Sequence, residues 1–376
     1  MNNSRKRSWY GILLVALLAV MGCAKKPAPD PEADSPSVEV DGKTLRITGP
    51  FAHENVSVYL IHSEDQDDHD YLTLDQGLKD GVVKISEREQ ERVGELQIDN
   101  QSDQYLFLQE GDRLQGGKQD RTIIASLVVP PKSGKMPVPT FCIEQSRWQK
   151  GRMGADFGYT ANAALAPKEV RQAAKVSGSQ SQVWDEVYDK KATAQAKLGA
   201  ANTNSSLNET LDSPQVKKLS DECAKALSSV LDEKDDAVGV AIVINGKVEE
   251  VNIYPNHKLL AKLYPRLMQS YAFQAALTKD EAKEATPVTC AEVAQFMTES
   301  KEKSKKKQDI NGDNKLEICD LEGGRAACAT EYRGTVVHKQ YLSKSEPAPA
   351  RQPALMARPA LDNVAPTVPP RPQAPK

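Results

Sequence analysis

The sequence has few aromatic residues, few histidines and no strong excess of either charge. Aromatic side chains make up 5% of the 376 residues, so the core must rest on aliphatic side chains. The formal net charge of −3 gives no support to a nucleic-acid-binding function. Only five histidines are present, and we find no Ser-His-Asp catalytic pattern, phosphate-binding loop or dinucleotide fingerprint. These absences leave no enzyme class favoured.

Cysteine usage excludes a zinc ribbon, because the sequence contains no Cys-x-x-Cys and no His-x-x-x-His spacing. Beyond Cys23, five cysteines remain. An odd number leaves at least one thiol free or paired between chains. Cys319 and Cys328 are close in the sequence and are the best candidates for a disulfide.

The N-terminus has the pattern of an export signal. Arg5, Lys6 and Arg7 precede an apolar run that ends at Gly22 and is too short to span a bilayer, which takes about 20 residues. The run closes on Val20-Met21-Gly22-Cys23, which resembles the lipobox of bacterial lipoproteins, although Met21 departs from the usual small residue. A plain signal peptide followed by a chance cysteine is the alternative.

The lipobox resemblance implies cleavage before Cys23 and attachment of a lipid to that residue. Residues 1–22 are then the signal peptide, and the Pro-rich segment 23–37 is a tether between lipid and domain. Ala24 after the cysteine implies sorting to the outer membrane. We therefore expect a lipid-anchored protein of the bacterial cell envelope.

The rest of the chain divides into a domain, residues 38–344, and a tail, residues 345–376. Short, closely spaced apolar runs predict an antiparallel sheet in the first half. Residues 121–129 are predicted to form one long strand, Glu110-Gly111-Asp112 a turn, and 136–143 a proline-bearing edge strand. Helical spacing dominates after Trp148. Asp41-Gly42 and Asn245-Gly246 are predicted hairpin turns, and Ser213-Pro214 is a predicted helix start. The predicted fold class is therefore α+β, with a β-rich N-terminal half packed against helices from the C-terminal half.

The Pro-rich tail cannot form a core, and it is predicted to be disordered or extended. It could bind a protein partner through Pro369-Pro370-Arg371-Pro372, or serve as a plain spacer.

Polar residues at the ends of the predicted strands suggest a ligand-binding site. Arg and Lys suit phosphate or carboxylate groups, Trp offers a stacking face, and two glutamates could act as an acid/base pair if they converge. The alternative is structural, with ion pairs such as Arg121–Glu144 or Arg147–Glu110 organising turns and Trp148 in the core. The candidate residues are Glu110, Lys118, Gln119, Arg121, Glu144, Arg147 and Trp148.

Residues 309–320, DINGDNKLEICD, resemble the calcium loops of dockerin and EF-hand repeats. Side-chain oxygens would come from Asp309, Asn311, Asp313 and Asp320, and a backbone carbonyl would come from Lys315. Asn314 stands where such loops have Gly, and Asn tolerates the left-handed conformation that this position requires. Calcium is thus a possible cofactor, and an Asx-rich turn that binds nothing is the alternative.

Two runs together resemble a known bacterial domain family. They are Gly116-Gly117-Lys118-Gln119-Asp120-Arg121 and Cys142-Ile143-Glu144-Gln145-Ser146-Arg147-Trp148. The family is the ARG and Rhodanese-Phosphatase-superfamily-associated Protein (ARPP-type) domain, named for its association with ADP-ribosylglycohydrolase (ARG) and rhodanese-phosphatase superfamily genes. The resemblance implies a mixed α+β domain associated with ADP-ribose or NAD-linked systems, without a known reaction.

Two functional hypotheses follow. The first is a non-enzymatic, membrane-anchored binding or interaction module. The second is binding or hydrolysis of an ADP-ribose-like ligand through the Glu/Arg/Lys cluster.

Overall fold

The computed structural model describes residues 35–87, 94–145, 159–162, 164–202, 205–279 and 287–350. Cys23, Arg147 and Trp148 lie outside these residues, as do the predicted signal peptide, most of the tether and the tail beyond residue 350. The fold is α+β with largely antiparallel sheets, which confirms the predicted class. Strands are not confined to the N-terminal half, because six of them follow residue 236.

The main sheet has nine strands in the order β1-β2-β3-β13-β14-β18-β17-β16-β15. All pairs of neighbours in it are antiparallel. The strands span β1 Ser37–Val40, β2 Lys43–His53, β3 Val56–His62, β13 Ala237–Ile244, β14 Lys247–Ile253, β15 Glu302–Asp309, β16 Asn314–Leu321, β17 Arg325–Tyr332 and β18 Thr335–Ser343.

Two smaller sheets complete the β structure. One has six strands in the order β12-β8-β9-β11-β6-β5, and the other has three in the order β10-β7-β4. The strands span β4 Leu72–Thr73, β5 Val83–Glu87, β6 Glu95–Asn100, β7 Leu106–Leu108, β8 Arg113–Gly116, β9 Arg121–Ile123, β10 Leu127–Val129, β11 Lys135–Cys142 and β12 Tyr159–Ala161.

Seven α-helices are found among the described residues, and a π-helical turn, Ala173–Ser177, follows the second directly. Asn256 caps the longest of them through a side-chain bond to Leu259 N, and Thr289 begins the last with a capping box. The helices span α1 Leu74–Lys79, α2 Lys168–Gln172, α3 Gln180–Leu198, α4 Leu207–Leu211, α5 Pro214–Ala226, α6 His257–Thr278 and α7 Cys290–Thr298.

The central strand β13 explains how the layers stack, because every one of its residues is buried. Side chains alternate across a strand. Val240 and Ile242 pack in the cluster that includes α6 residues, whereas Ala241 and Val243 pack in the cluster that includes α7 residues. The main sheet is therefore covered by helices on both faces.

Two strand predictions are corrected by this topology. The predicted single strand 121–129 is two strands, β9 and β10, which belong to different sheets. The proline-bearing strand β11 is interior, between β9 and β6, not at an edge. Its pairing is staggered: residues 135–139 pair with β6 and residues 140–142 pair with β9. Pro137 and Pro139 thus lie where the ladder is formed on one side only, which a residue without an N–H tolerates.

The predicted Cys319–Cys328 disulfide is also corrected. Cys328 is paired with Ile318 across the β16–β17 ladder, and Cys319 is paired with Ala327. Because neighbouring residues of a strand point to opposite faces, the two thiols lie on opposite sides of the sheet. All five cysteines after Cys23 are free thiols in this structure.

The folded region extends past the predicted boundary at residue 344. The Ser345 backbone N–H donates to Gln172 Oε1 at 2.9 Å, and the Ala348 N–H donates to Glu186 Oε1 at 2.7 Å. These bonds hold residues 345–348 to α2 and α3. Within the described part of the chain, no helix has the length and apolarity needed to cross a membrane.

Candidate functional site

A buried charge network lies between α2 and the main sheet. Arg171 of α2 donates to both carboxylate oxygens of Glu250 on β14, at 2.8 and 2.6 Å, and its Nη1 is 3.3 Å from Glu110 Oε1. Lys175 donates to Glu110 and to Gln340. Two cations thus meet two carboxylates, so the network is balanced in charge and closed by its own members.

The pKa shifts follow from this pairing. Burial alone would raise the pKa of Glu250, but Arg171, Lys175 and Tyr271 together outweigh burial and lower the pKa to about 2. Burial would lower the pKa of Lys175, but the neighbouring groups Cys328 and Glu110 raise it above its ordinary value. Both groups are therefore charged at neutral pH, and each is stabilised by the other members of the network.

His338 extends the network through neutral groups. Asn252 Oδ1 lies 3.0 Å from Gln340 Nε2 and 3.0 Å from His338 Nε2, so it accepts from both and His338 carries its proton on Nε2. Nδ1 then accepts from the Ser126 hydroxyl at 2.9 Å, whose oxygen accepts from the Glu110 N–H at 3.0 Å. Burial lowers the pKa of His338 to about 3, so the ring is neutral at physiological pH.

This chain of a hydroxyl, an imidazole and an amide superficially resembles a hydrolase triad. Ser126, His338 and Asn252 are at most 4% exposed. Three surface cavities of the protein are lined by other residues. The arrangement orients hydrogen bonds in the interior and gives a substrate no visible access to the Ser126 hydroxyl.

Gly111 makes room for the network. Its φ is +84°, and a Cβ at this position would overlap with Cδ of Arg171. The turn therefore requires glycine for two reasons, its left-handed backbone and the passage of the arginine side chain. The predicted Glu110-Gly111-Asp112 turn is thus present, and it serves to place the Glu110 carboxylate beside α2.

A second polar cluster lies where the edge strands β5 and β12 of the six-stranded sheet approach each other. Glu87 Oε1 accepts from the Tyr159 hydroxyl at 2.7 Å and from the Lys118 N–H at 3.3 Å, and Arg121 Nη2 lies 3.8 Å from it. Gly117 packs against Tyr159 so closely that a Cβ would overlap the ring. We call this cluster, Glu87, Lys118, Arg121 and Tyr159 with Cys142, the seam.

Cys142 is held on both its backbone and its side chain. Its thiol contacts the Arg121 guanidinium, and Gln180 bonds its N–H and its carbonyl oxygen at 2.8 and 2.9 Å. Burial raises the pKa of the thiol, and the nearby Arg121 opposes that shift. The raised pKa disfavours the thiolate, so this cysteine is not an activated nucleophile in the described structure.

The remaining residues of the two signature runs tie the seam to α4. Glu144 Oε2 accepts from the Asp120 N–H at 3.2 Å. The Asp120 carboxylate accepts from the Gly116 N–H at 3.1 Å and from Asn208 Nδ2 at 3.0 Å, and it also accepts from Ser206. Asp120 thereby closes the β8–β9 turn and fixes the segment that leads into α4.

The predicted ligand-binding residues are consequently divided between the two clusters. Lys118, Gln119, Arg121 and Glu144 lie around the β8–β9 turn and the end of β11, whereas Glu110 belongs to the interior network. Glu110 accepts from Arg171 and Lys175, and Glu144 accepts from Asp120, so the two carboxylates are held by different groups. Arg147 and Trp148 lie outside the described residues.

The predicted calcium loop is the β15–β16 hairpin turn with parts of both strands. Asp309 Oδ1 accepts from the Gly312 N–H at 2.7 Å, and Asn311 Oδ1 accepts from the Asn314 N–H at 3.1 Å. Asp313 pairs with Arg333 at 3.0 Å, and Asp320, well along β16, pairs with Lys344 at 2.9 Å. Lys315 is the second residue of β16. The turn and strand separate the proposed ligands, and no group of three or more His, Cys, Asp or Glu suited to a metal is found among the described residues.

Asn314 does not have the left-handed conformation expected from the loop resemblance. Gly312 takes that conformation, with φ +87°. The Asn314 side chain instead accepts from the Val128 N–H and donates to the Val128 carbonyl, both at 2.9 Å. The amide therefore imitates a strand neighbour and joins the hairpin to β10.

The interior network was not predicted from the sequence, because its residues follow patterns that are typical of exposed positions. Glu250 and Asn252 alternate with Val251 and Ile253 on β14, and Arg171 and Lys175, four residues apart, are spaced like a solvated helix face. No residue type or spacing distinguishes this pattern from a half-exposed strand and an amphipathic helix. The network could have been predicted only if the packing of α2 on that face of the main sheet had been known.

These features define a sheet-rich α+β domain whose polar signature residues are packed into turns and into the interior. The chain belongs to the family of the ARG and Rhodanese-Phosphatase-superfamily-associated Protein domain, ARPP-1, whose family model matches residues 44–342. The match includes the β15–β16 hairpin and extends beyond the range on which the sequence resemblance rested. No curated protein and no solved structure matches the chain.

Proposed function

We propose that this protein is a lipid-anchored binding module of the bacterial cell envelope, held to the outer membrane through Cys23, and that it has no catalytic activity of its own. The observation that carries the proposal is the closure of the interior network. Glu110 is 2% exposed and is bonded to two cations, so it cannot exchange protons with a substrate as a general acid or base must. The lipobox-like sequence supports the membrane anchor.

The anchor is tested by expressing the full chain in a bacterium with a radiolabelled fatty acid. We expect label on the wild-type protein and recovery in the outer-membrane fraction. The Cys23→Ser variant should lose the label. Label retained by the variant, or an unlabelled wild-type protein, would contradict the lipid anchor.

A second candidate function is binding of an ADP-ribose-like ligand at the seam. Lys118, Gln119 and Arg121 favour it, because they lie on the β8–β9 turn and the start of β9. Side chains of these types can bind a phosphate group. Isothermal titration calorimetry with ADP-ribose and with NAD tests it. The binding-module proposal predicts no heat of binding. A measurable heat that Lys118→Ala weakens, while Lys132→Ala on the exposed β10–β11 connection does not, would establish the second candidate instead.

The Pro-rich tail supports a partner-binding role, because proline-rich segments dock into aromatic grooves at low entropic cost. The partner would be a protein with such a groove, and Pro369-Pro370-Arg371-Pro372 would be the segment that it binds. A chain ending at residue 350 should keep the melting temperature of the full chain while losing the partner. A chain ending at residue 344 also loses the bonds of Ser345 and Ala348 to the helices, so it is unsuitable for this test.

A further inference from the structure

Strand β15 forms one outer edge of the main sheet and carries a high density of lysine. None of its residues is buried. The segment KEKSKKK, residues 301–307, contains five lysines and one glutamate. The sequence predicts a basic, solvated run here, and in the structure Glu302 and residues 304–309 pair with β16, with Lys301 directly before the strand. The fold therefore displays these lysines on a rigid edge.

The lysines of β15, and Lys301 directly before it, differ in their ion pairing. Lys305 pairs with Glu317 at 2.7 Å and Lys307 pairs with Glu331 at 2.9 Å, so these two are partly neutralised. Lys301, Lys303 and Lys306 make no ion pair within the described parts of the chain. Three cations at one edge are thus left for a partner outside the domain.

The chemistry of the strand limits what that partner can be. A peptide strand adding to this edge would need carboxylates on both of its faces, and edge lysines oppose such strand addition. The strand has no apolar or aromatic residue that could anchor a side chain in a pocket. A flat anionic surface needs neither backbone pairing nor an apolar anchor, because it requires only exposed cations at short range.

We propose that β15 is a contact surface for anionic phospholipid headgroups and forms a second attachment beside the lipid on Cys23. This inference rests on the proposed membrane anchor. One lipid attachment and one basic segment together are a common way to obtain stable membrane association. The second attachment would fix the orientation of the domain relative to the membrane.

The dimensions of the protein allow both attachments at once. Strands β1 and β15 are the opposite edges of the nine-stranded sheet, so they are separated by about 38 Å at roughly 4.8 Å per strand. The tether leads into β1 from Cys23, and an extended Pro-rich chain covers about 3 Å per residue. The tether is therefore long enough for the sheet to reach the membrane with its far edge.

The test is acetylation of lysines on the lipidated full chain bound to vesicles, read by mass spectrometry. We expect Lys301, Lys303 and Lys306 to react at least about threefold more slowly on phosphatidylglycerol-containing vesicles than on phosphatidylcholine vesicles. The difference should vanish at about 1 M salt, where the Debye length is about 3 Å. Lys217 and Lys218 on α5 are exposed internal controls and should react equally on both vesicles.

Lys305 and Lys307 lie on the same strand and should also react more slowly on phosphatidylglycerol-containing vesicles in the wild-type chain. The triple variant Lys301→Glu, Lys303→Glu, Lys306→Glu leaves these two lysines in place as reporters, and it should abolish their protection. The matched variant Lys217→Glu, Lys218→Glu, Lys225→Glu on α5 should keep it.

Equal reaction rates on both vesicles, with the chain bound to both, would overturn the β15 inference and leave the anchor intact. Protection by an acidic peptide but not by vesicles would overturn it as well. A chain that binds neutral vesicles poorly but anionic vesicles well at low salt would refute the anchor and support the role of β15. A chain that binds neither would remove both proposals.

Discussion

Glu250 shows how strongly one residue's environment can differ from what its strand pattern predicts. Glu250 and Asn252 alternate with the apolar Val251 and Ile253 on β14, as solvated residues would, yet Glu250 is 1% exposed. Its carboxylate receives two bonds from Arg171 and one from Gln340. Pairing of this kind offsets the large free-energy cost of taking a carboxylate out of water. If one member of the pair is removed, the other remains as a buried charge without a partner.

We therefore expect Glu250→Gln to lower the free energy of unfolding by about 3–5 kcal/mol. The substitution keeps the shape of the side chain and removes the charge that Arg171 faces. The control is Asp103→Asn, which breaks the exposed pair with Lys132 and should cost at most about 1 kcal/mol. Urea denaturation followed by circular dichroism measures both. Equal losses for the two variants would show that the buried network contributes no more than a surface ion pair.

At the scale of elements, the β15–β16 hairpin pairs with β17 in the main sheet and is joined to β10, in a different sheet, by the side chain of Asn314. Asn314 bonds both backbone groups of Val128 on β10, and the Val128 side chain is part of the core cluster that includes α6. Asn314→Ala would leave a buried donor and a buried acceptor unsatisfied, each costing about 1–3 kcal/mol. We expect a loss of roughly 2–6 kcal/mol in unfolding free energy.

The control for this prediction is Lys315→Ala, one residue further along β16 with an exposed side chain. Hydrogen exchange of the Val128 amide supplies a local readout, because only the Asn314 variant should accelerate it. If both variants lose the same stability, or if exchange at Val128 is unchanged, Asn314 does not hold the hairpin in place.

The β15–β16 hairpin also contains the predicted calcium loop, and calcium binding to it can be tested. We expect millimolar calcium or EDTA to leave the melting temperature unchanged, because the carboxylates of Asp309, Asp313 and Asp320 already accept bonds from Gly312, Arg333 and Lys344. Differential scanning fluorimetry with magnesium as the control ion measures the effect. A rise of several degrees with calcium alone, lost in Asp309→Asn, would establish the cation site.

The sequence predicted elements well wherever the signal was local. The Asp41-Gly42 hairpin, the Asn245-Gly246 hairpin and the Pro214 helix start are all present, since turn and cap residues act over a few positions. Long-range features were not accessible in this way. The division of 121–129 between two sheets depends on which strands it meets, and that information is spread over the whole chain.

The candidate site was predictable in part for the same reason. The predicted turns at Glu110-Gly111-Asp112 and within residues 116–121 are present, and Gly111 and Gly117 are required by the side chains packed against them. The partners of those turns were missing from the prediction. Arg171 and Asn208 come from helices 60 or more residues away from Glu110 and Asp120 in the sequence. Only the tertiary fold shows that the Glu110 carboxylate is buried against α2.

For the molecule as a whole, the interior network couples folding to pH. His338 has a folded-state pKa of about 3, below its ordinary value of 6.5, because burial disfavours the charged ring. Below pH 6.5 the unfolded chain therefore binds a proton that the folded protein does not, and stability falls as the pH decreases from 6.5 towards 3. Glu250, lowered from 4.5 to about 2, acts in the same direction below pH 4.5.

The contribution of His338 can be separated with His338→Gln, whose amide can still accept from Ser126 and donate to Asn252 but does not titrate. Between pH 6 and pH 5 the wild type should lose up to about 1.4 kcal/mol per pH unit more than the variant. The comparison is between slopes, so a constant loss from altered packing in the variant does not affect it. Parallel curves over this range would mean that His338 is reached by protons in the folded protein. The interior network would then be open to solvent, and the case against a catalytic role for Glu110 would fail with it.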